Sequence, residues 1–208
     1  MTPDLSLILA PEQHAALEAA YASPPRAYHN FSHVREVLRH FDAVAAGPGW
    51  KQPFEVQLAV LYHDAIYEAG RGDNEARSAD LAVQHIARWL ADRGVDHARV
   101  AGLIRLTERH GKVTRDELAD DMVPADAMHF LDCDMAILGA EPAVFDAYDR
   151  GIAAEYRGHV PAWVFRLNRR RFLKALLARE RIFLSDFFHE RLDAQARINL
   201  RRAVTEKR

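Results

Sequence analysis

Apolar positions recur every three to four residues along most of this chain and almost nowhere alternate singly with polar ones. The first pattern is that of helices and the second that of half-buried strands. No Asn-Gly or Asp-Gly turn joins two β-branched runs, so the expected fold class is all-α. A first helix opens at Pro11, where proline suits the first helical position. It presents Leu17, Ala20 and Tyr21 and closes at Ser23-Pro24-Pro25. A polar entry from Arg26 to Asn30 follows, with Asn30 or Ser32 as cap. The second helix spans residues 31–46, with Phe31, Val34, Leu38, Phe41 and Ala45 as one stripe and His33 at its border, and stops at Gly47-Pro48-Gly49.

Residues 56–67 depart from this amphipathic habit. They are apolar on nearly every side, which marks a buried helix, yet His63 and Asp64 sit side by side in the middle. A glycine- and acid-rich loop over residues 68–75 hangs over that pair, and Asp73-Asn74-Glu75 reads as the cap and acidic first turn of the next helix. That helix covers residues 75–92, with Ala79, Ala82, Val83, Ile86 and Leu90 inward, His85 at the surface or half-buried, and Gly94 beyond its end. Another spans residues 97–109 and runs out at His110-Gly111. A polar segment, residues 114–123, precedes a second apolar stretch with embedded acids, residues 128–139. Helices follow over residues 142–156 and from Pro161 onward, the latter carrying Trp163, Val164, Leu167, Phe172, Leu173, Leu176 and Leu177. Phe183, Phe187 and Phe188 supply core or interface surface, a last helix covers residues 194–203, and the tail Thr205-Glu206-Lys207-Arg208 is expected to fray.

A carboxylate in a buried helix is costly unless something pairs with it or coordinates it. Imidazole nitrogen and carboxylate oxygen are both good ligands for first-row metals. A His–Asp hydrogen bond within the core is the plainer alternative. The 30 residues between His33 and His63 allow two antiparallel helices to bring His33 against the pair. In the second acid-bearing stretch, Asp132 and Asp134 cannot both point into one dry core without partners. One of them suits a metal, and the other a cap, a backbone bond or support of a ligand. The residue pattern alone leaves the two as alternatives.

The 208 residues suit one domain spanning the chain, 1–208, and the formal net charge of −2 provides no strong field for nucleic acid or membrane. Arg166, Arg169, Arg170, Arg171, Lys174, Arg179 and Arg181 form a basic run. At helical spacing it is expected to be a solvated face, partly paired with Glu155, Glu180 and Asp186. A single cysteine, Cys133, excludes an intramolecular disulfide and fits a reducing cytosol. The first residues lack the pattern of a signal peptide and no run is long enough to span a membrane. A cytoplasmic protein is expected, with self-association left open.

The ordered set His33, His63-Asp64 and Asp134 in an all-α chain resembles the HD superfamily of metal-dependent phosphohydrolases. More narrowly, four segments look like its small, single-domain branch. They are Arg26-Ala27-Tyr28-His29-Asn30-Phe31-Ser32-His33, Tyr62-His63-Asp64, Asp73-Asn74-Glu75-Ala76-Arg77-Ser78-Ala79 and the run from Phe130 to Gly139. Glu155-Tyr156 and Arg197-Ile198-Asn199-Leu200 extend the likeness.

The resemblance implies an HD-domain helical bundle around one divalent first-row ion (Mn, Fe, Co, Ni or Zn, with Mg less natural) held by His33, His63, Asp64 and Asp134. It implies hydrolysis of a small phosphate ester or nucleotide by a metal-activated water, without resolving monoester from diester chemistry. Asp64 would orient that water, and Glu68, Asp73 or His110 would move a proton. Arg26 and Lys112 would hold phosphate, and Tyr28, His29 and Asn74 would line the substrate pocket. Related enzymes often keep a glutamate where Tyr67 stands and an arginine where Ala153 stands. A non-catalytic, metal-containing module that binds a nucleotide or a partner is therefore the alternative.

Overall fold

The structure is a computed structural model that describes residues 8–22 and 26–205. The helix stop expected at Ser23-Pro24-Pro25 and the fraying expected at Glu206-Lys207-Arg208 lie outside the described residues. Nine α-helices and short 3-10 turns, with no β-strand among the described residues, make the protein all-α as expected. No described helix is long and apolar enough to cross a membrane. The chain divides into two compact units, Met1–Arg109 and His110–Arg208.

The first unit contains α1 (Pro11–Ala22), α2 (Phe31–Ala46), α3 (Pro53–Tyr62), α4 (Asn74–Trp89) and α5 (His97–Leu106). Short α3 is its centre, packed by α2, α4 and α5. Val56 and every residue from Leu58 to Tyr62 are fully buried, as an all-round apolar helix requires. Full burial of a Val or Leu side chain contributes about 1.5–3 kcal/mol, so this ten-residue helix holds its place by packing. Helix α2 matches the expected span and is capped by Asn30, whose side chain accepts from the Ser32 amide. Its buried stripe runs through Val37 and Val44, while Ala45 is exposed and Phe31 only half-buried. Helix α4 closes through a 3-10 turn at Ala91–Arg93 and Gly94, whose φ of 65° is left-handed.

The second unit contains α6 (Pro124–Met135), a 3-10 turn at Ala136–Gly139, α7 (Pro142–Glu155), α8 (Ala162–Leu177) and α9 (Asp186–Thr205). Helix α9 begins eight residues earlier than the pattern suggested and buries Phe188, while Phe183 is buried just before it. It presses on the 136–139 turn so closely that a Cβ on Gly139 would stand 2.6 Å from Leu192 Cβ. Asn199 clamps the same turn by donating to the carbonyls of Leu138 and Ala140, at 2.9 and 2.8 Å.

Helix α8 departs most from expectation. Only Leu173 and Leu176 of its apolar set are buried, while Trp163 and Leu167 are exposed. Two of the basic positions turn inward instead of lying on a solvated face. Arg169 pairs with Asp149 at 3.1 Å, and Arg179 donates to the carbonyls of Gly111 and Val113. Arg181 meets Asp186, as expected.

Asp132 is buried and accepts from the Leu184 amide, the Ser185 amide and the Ser185 hydroxyl, at 2.6–2.7 Å. Burial pushes its carboxyl up to about 7, against the three donors that hold it down. Replacing Asp132 by Ala strands these donors in the core and is expected to cost about 3 kcal/mol. Urea unfolding monitored by circular dichroism measures the loss.

Candidate metal centre

The site grows out of the way α3 stops. The last four carbonyls of a helix lack intrahelical partners and must find others. All four do so here. Ala59 O accepts from the His63 amide and Tyr62 O from the Ala65 amide, the second a tight three-residue turn. Leu61 O accepts from the Tyr21 hydroxyl at 3.1 Å. Val60 O lies 2.8 Å from His63 Nδ1. The sequence pattern carried this helix through to Tyr67; the structure ends it at Tyr62, with His63 as its cap. The difference matters chemically. Neighbouring residues within a helix point in diverging directions, whereas the turn lets His63 and Asp64 converge.

The turn is braced from two sides. Arg26 donates from one terminal nitrogen to the carbonyls of His29 and Asp64, and from the other to those of Ala20 and Ala65, at 2.6–3.0 Å. Tyr21 holds the Asp64 amide through its hydroxyl. From α4, Ser78 bonds both the amide and the carbonyl of Ile66, and Asn74 does the same for Glu68, all at 3.0–3.1 Å. Arg26, expected to grip phosphate, and Asn74, expected at the substrate pocket, thus clamp backbone here.

Within this frame His33 from α2 meets His63 and Asp64. His33 Nε2 and His63 Nε2 are 3.2 Å apart, His63 Nε2 and Asp64 Oδ2 3.1 Å, and His33 Nε2 and Asp64 Oδ2 3.6 Å. Both imidazoles are buried and the carboxylate nearly so. A carbonyl oxygen only accepts, so His63 Nδ1 bears the proton facing Val60, and in the neutral imidazole Nε2 then presents a lone pair to the triangle. The backbone partner thereby fixes the tautomer that metal ligation needs.

An aromatic wall surrounds His33. The Tyr28 ring is 4.7 Å from it and the His29 ring 6.1 Å, and His29 stacks on Tyr67 at 3.9 Å. Tyr28 and His29, expected to line a substrate pocket, therefore stand beside the cluster. Tyr67, where a glutamate was the familiar alternative, holds the His29 ring.

Of the expected proton carriers, Glu68 pairs with Arg77 at 2.5 Å, and Asp73 makes a two-pronged contact with Arg71 at 2.6–2.7 Å. Hydrogen bonds from these arginines hold both carboxyls below their ordinary values. In the second unit His110 Nε2 lies 3.0 Å from Asp134 Oδ2, so these two expected site residues pair with each other. Asp132, the alternative to Asp134, is engaged by the Leu184–Ser185 donors. Lys112 is exposed.

The sequence reading missed the bracing by Tyr21 and Ser78. The signal for Ser78 was present: Asn74 and Ser78 are four residues apart on the inner face of α4, and buried polar side chains at that spacing have backbone to satisfy. Comparison with family models, with curated proteins and with solved structures found no match for this chain.

Asn74 is buried and holds both backbone groups of Glu68. Asn74→Ala is expected to cost about 2 kcal/mol, the usual scale for stranding buried peptide groups. Amide hydrogen exchange should show lost protection at Glu68, while α7 to α9 keep theirs.

Proposed function

We propose that the chain is a metal-dependent phosphohydrolase of HD type that acts on a small phosphate ester or nucleotide. The observation that carries the proposal is the triangle of His33 Nε2, His63 Nε2 and Asp64 Oδ2, with edges of 3.1–3.6 Å. Ligand atoms about 2.1 Å from one ion stand roughly 3 to 3.5 Å apart at right or tetrahedral angles. The donor set therefore fits a first-row divalent ion. A proton satisfies one edge of such a triangle at a time; a cation satisfies all three. Asp134 enters the ligand set on the sequence resemblance alone.

A bound divalent ion would supply Lewis acidity towards water and towards a phosphoryl oxygen. The chain's own residues do the positioning. His63 is locked in one tautomer by Val60 O, and Asp64 is fixed through its backbone by Tyr21 and Arg26. Such rigidity limits the reorganisation that catalysis must overcome. Glu68 and Asp73 are engaged by arginines, and the His29 imidazole, in the ring cluster beside His33, is a further group placed to carry a proton.

The arginine-held acids also favour a second reading, a metal-containing module that binds a nucleotide or partner without turnover. One experiment separates the two. Protein purified without chelator should carry about one first-row ion per chain by elemental analysis, falling sharply in His63→Ala and Asp64→Ala. With Mn, Co, Ni or Mg added, it should hydrolyse some member of a phosphate-ester and nucleotide panel, and Asp64→Ala should lower that turnover at least a hundredfold. A metal-free wild type removes the proposal. Metal without turnover, together with thermal protection by a nucleotide, supports the module.

A further inference from the structure

Five arginines line one groove of the second unit: Arg150, Arg157, Arg166, Arg169 and Arg170. The groove lies between α7, α8 and the last turn of α9 and has a volume of about 810 Å³. The single carboxylate in its lining, Asp149, is engaged by Arg169 Nε at 3.1 Å. Arg150, Arg157, Arg166 and Arg170 are exposed and join no ion pair among the described residues. Natural surfaces intersperse charges of both signs, so four unopposed guanidiniums around one concavity require an explanation. Arg169 is largely buried over the Tyr148 and Phe172 rings and is bonded to Tyr148 and Asp149, so it anchors one wall of the groove.

The remaining lining is apolar and aromatic. Ala153, Phe165, Leu173 and Val204 contribute, and the rings of Tyr156 and Phe165 lie 5.2 Å apart. The volume falls in the range of small-molecule sites, roughly 300–1,000 Å³. Guanidinium groups are the residues suited to two-pronged contact with phosphate.

We propose that this groove binds a nucleotide carrying two or more phosphates, the phosphates meeting Arg166 and Arg170 and the base resting on Tyr156 and Phe165. The site is built from residues 149–205, whereas the His33–His63–Asp64 cluster belongs to the first unit. Occupancy of the groove therefore does not depend on the metal or on turnover.

Adenosine triphosphate in excess EDTA is a suitable probe. Trp163, 66% exposed and next to the lining residue Ala162, offers a fluorescence signal. The intact chain is expected to show saturable binding that persists in Asp64→Ala. Binding should weaken at least tenfold in Arg166→Ala/Arg170→Ala, whose two exposed side chains can be removed without opening the core, and circular dichroism should be unchanged. Affinity should fall as salt is raised, and inorganic triphosphate should bind more weakly than the nucleotide. Absence of saturable binding, or binding that survives the double arginine variant, overturns the proposal. Equal binding of inorganic triphosphate overturns the nucleotide assignment.

Discussion

A buried helix end has four carbonyls to satisfy, and in this protein that constraint shapes the candidate site. Helix α3 is enclosed by α2, α4 and α5, so water cannot serve as the partner. Its last carbonyls take the His63 amide, the His63 ring, the Tyr21 hydroxyl and the Ala65 amide. Each choice has a consequence beyond the helix. The ring contact selects the histidine tautomer, the tight turn lets Asp64 converge with His63, and the tyrosine carries the bracing on to the Asp64 amide. Backbone satisfaction and ligand orientation are the same set of bonds.

The surrounding polar residues follow from the same need. Arg26, Asn74 and Ser78 are polar, inward and beside a chemical cluster, and their partners include peptide groups of residues 64–68. A turn that carries a metal ligand has to be stiff, since a displacement of the order of 1 Å in a reacting group has large effects on rate. Glu68 and Asp73 belong to the same loop and pair with Arg77 of α4 and with Arg71.

Much of this was legible in the sequence. The helical spacing gave α2 to the residue, and the all-round apolar character of residues 56–62 marked the central helix. The embedded His63-Asp64 pair and His33, one helix earlier, pointed to a cluster that the structure assembles. The stop of α3 was not legible, because Ala65, Ile66 and Tyr67 are apolar enough to continue a helix and only tertiary hydrogen bonds end it. The exposure of Trp163 and Leu167 was also hidden, since periodicity identifies an apolar face but not whether a partner covers it. The partners of Asp132, the Leu184–Ser185 donors, were hidden because they lie 52 and 53 residues away in sequence. The inward turn of Arg169 and Arg179 depended on a distant carboxylate and carbonyls in the same way.

The central claim is that His33, His63 and Asp64 together hold one ion. X-ray absorption at the metal edge of cobalt-loaded protein tests it most directly, because it reads the ligands themselves. The expected spectrum contains the multiple scattering of two imidazoles, with nitrogen and oxygen at about 2.1 Å, and loses one imidazole in His33→Ala. A spectrum without imidazole scattering, or one unchanged by His33→Ala, would contradict the assignment.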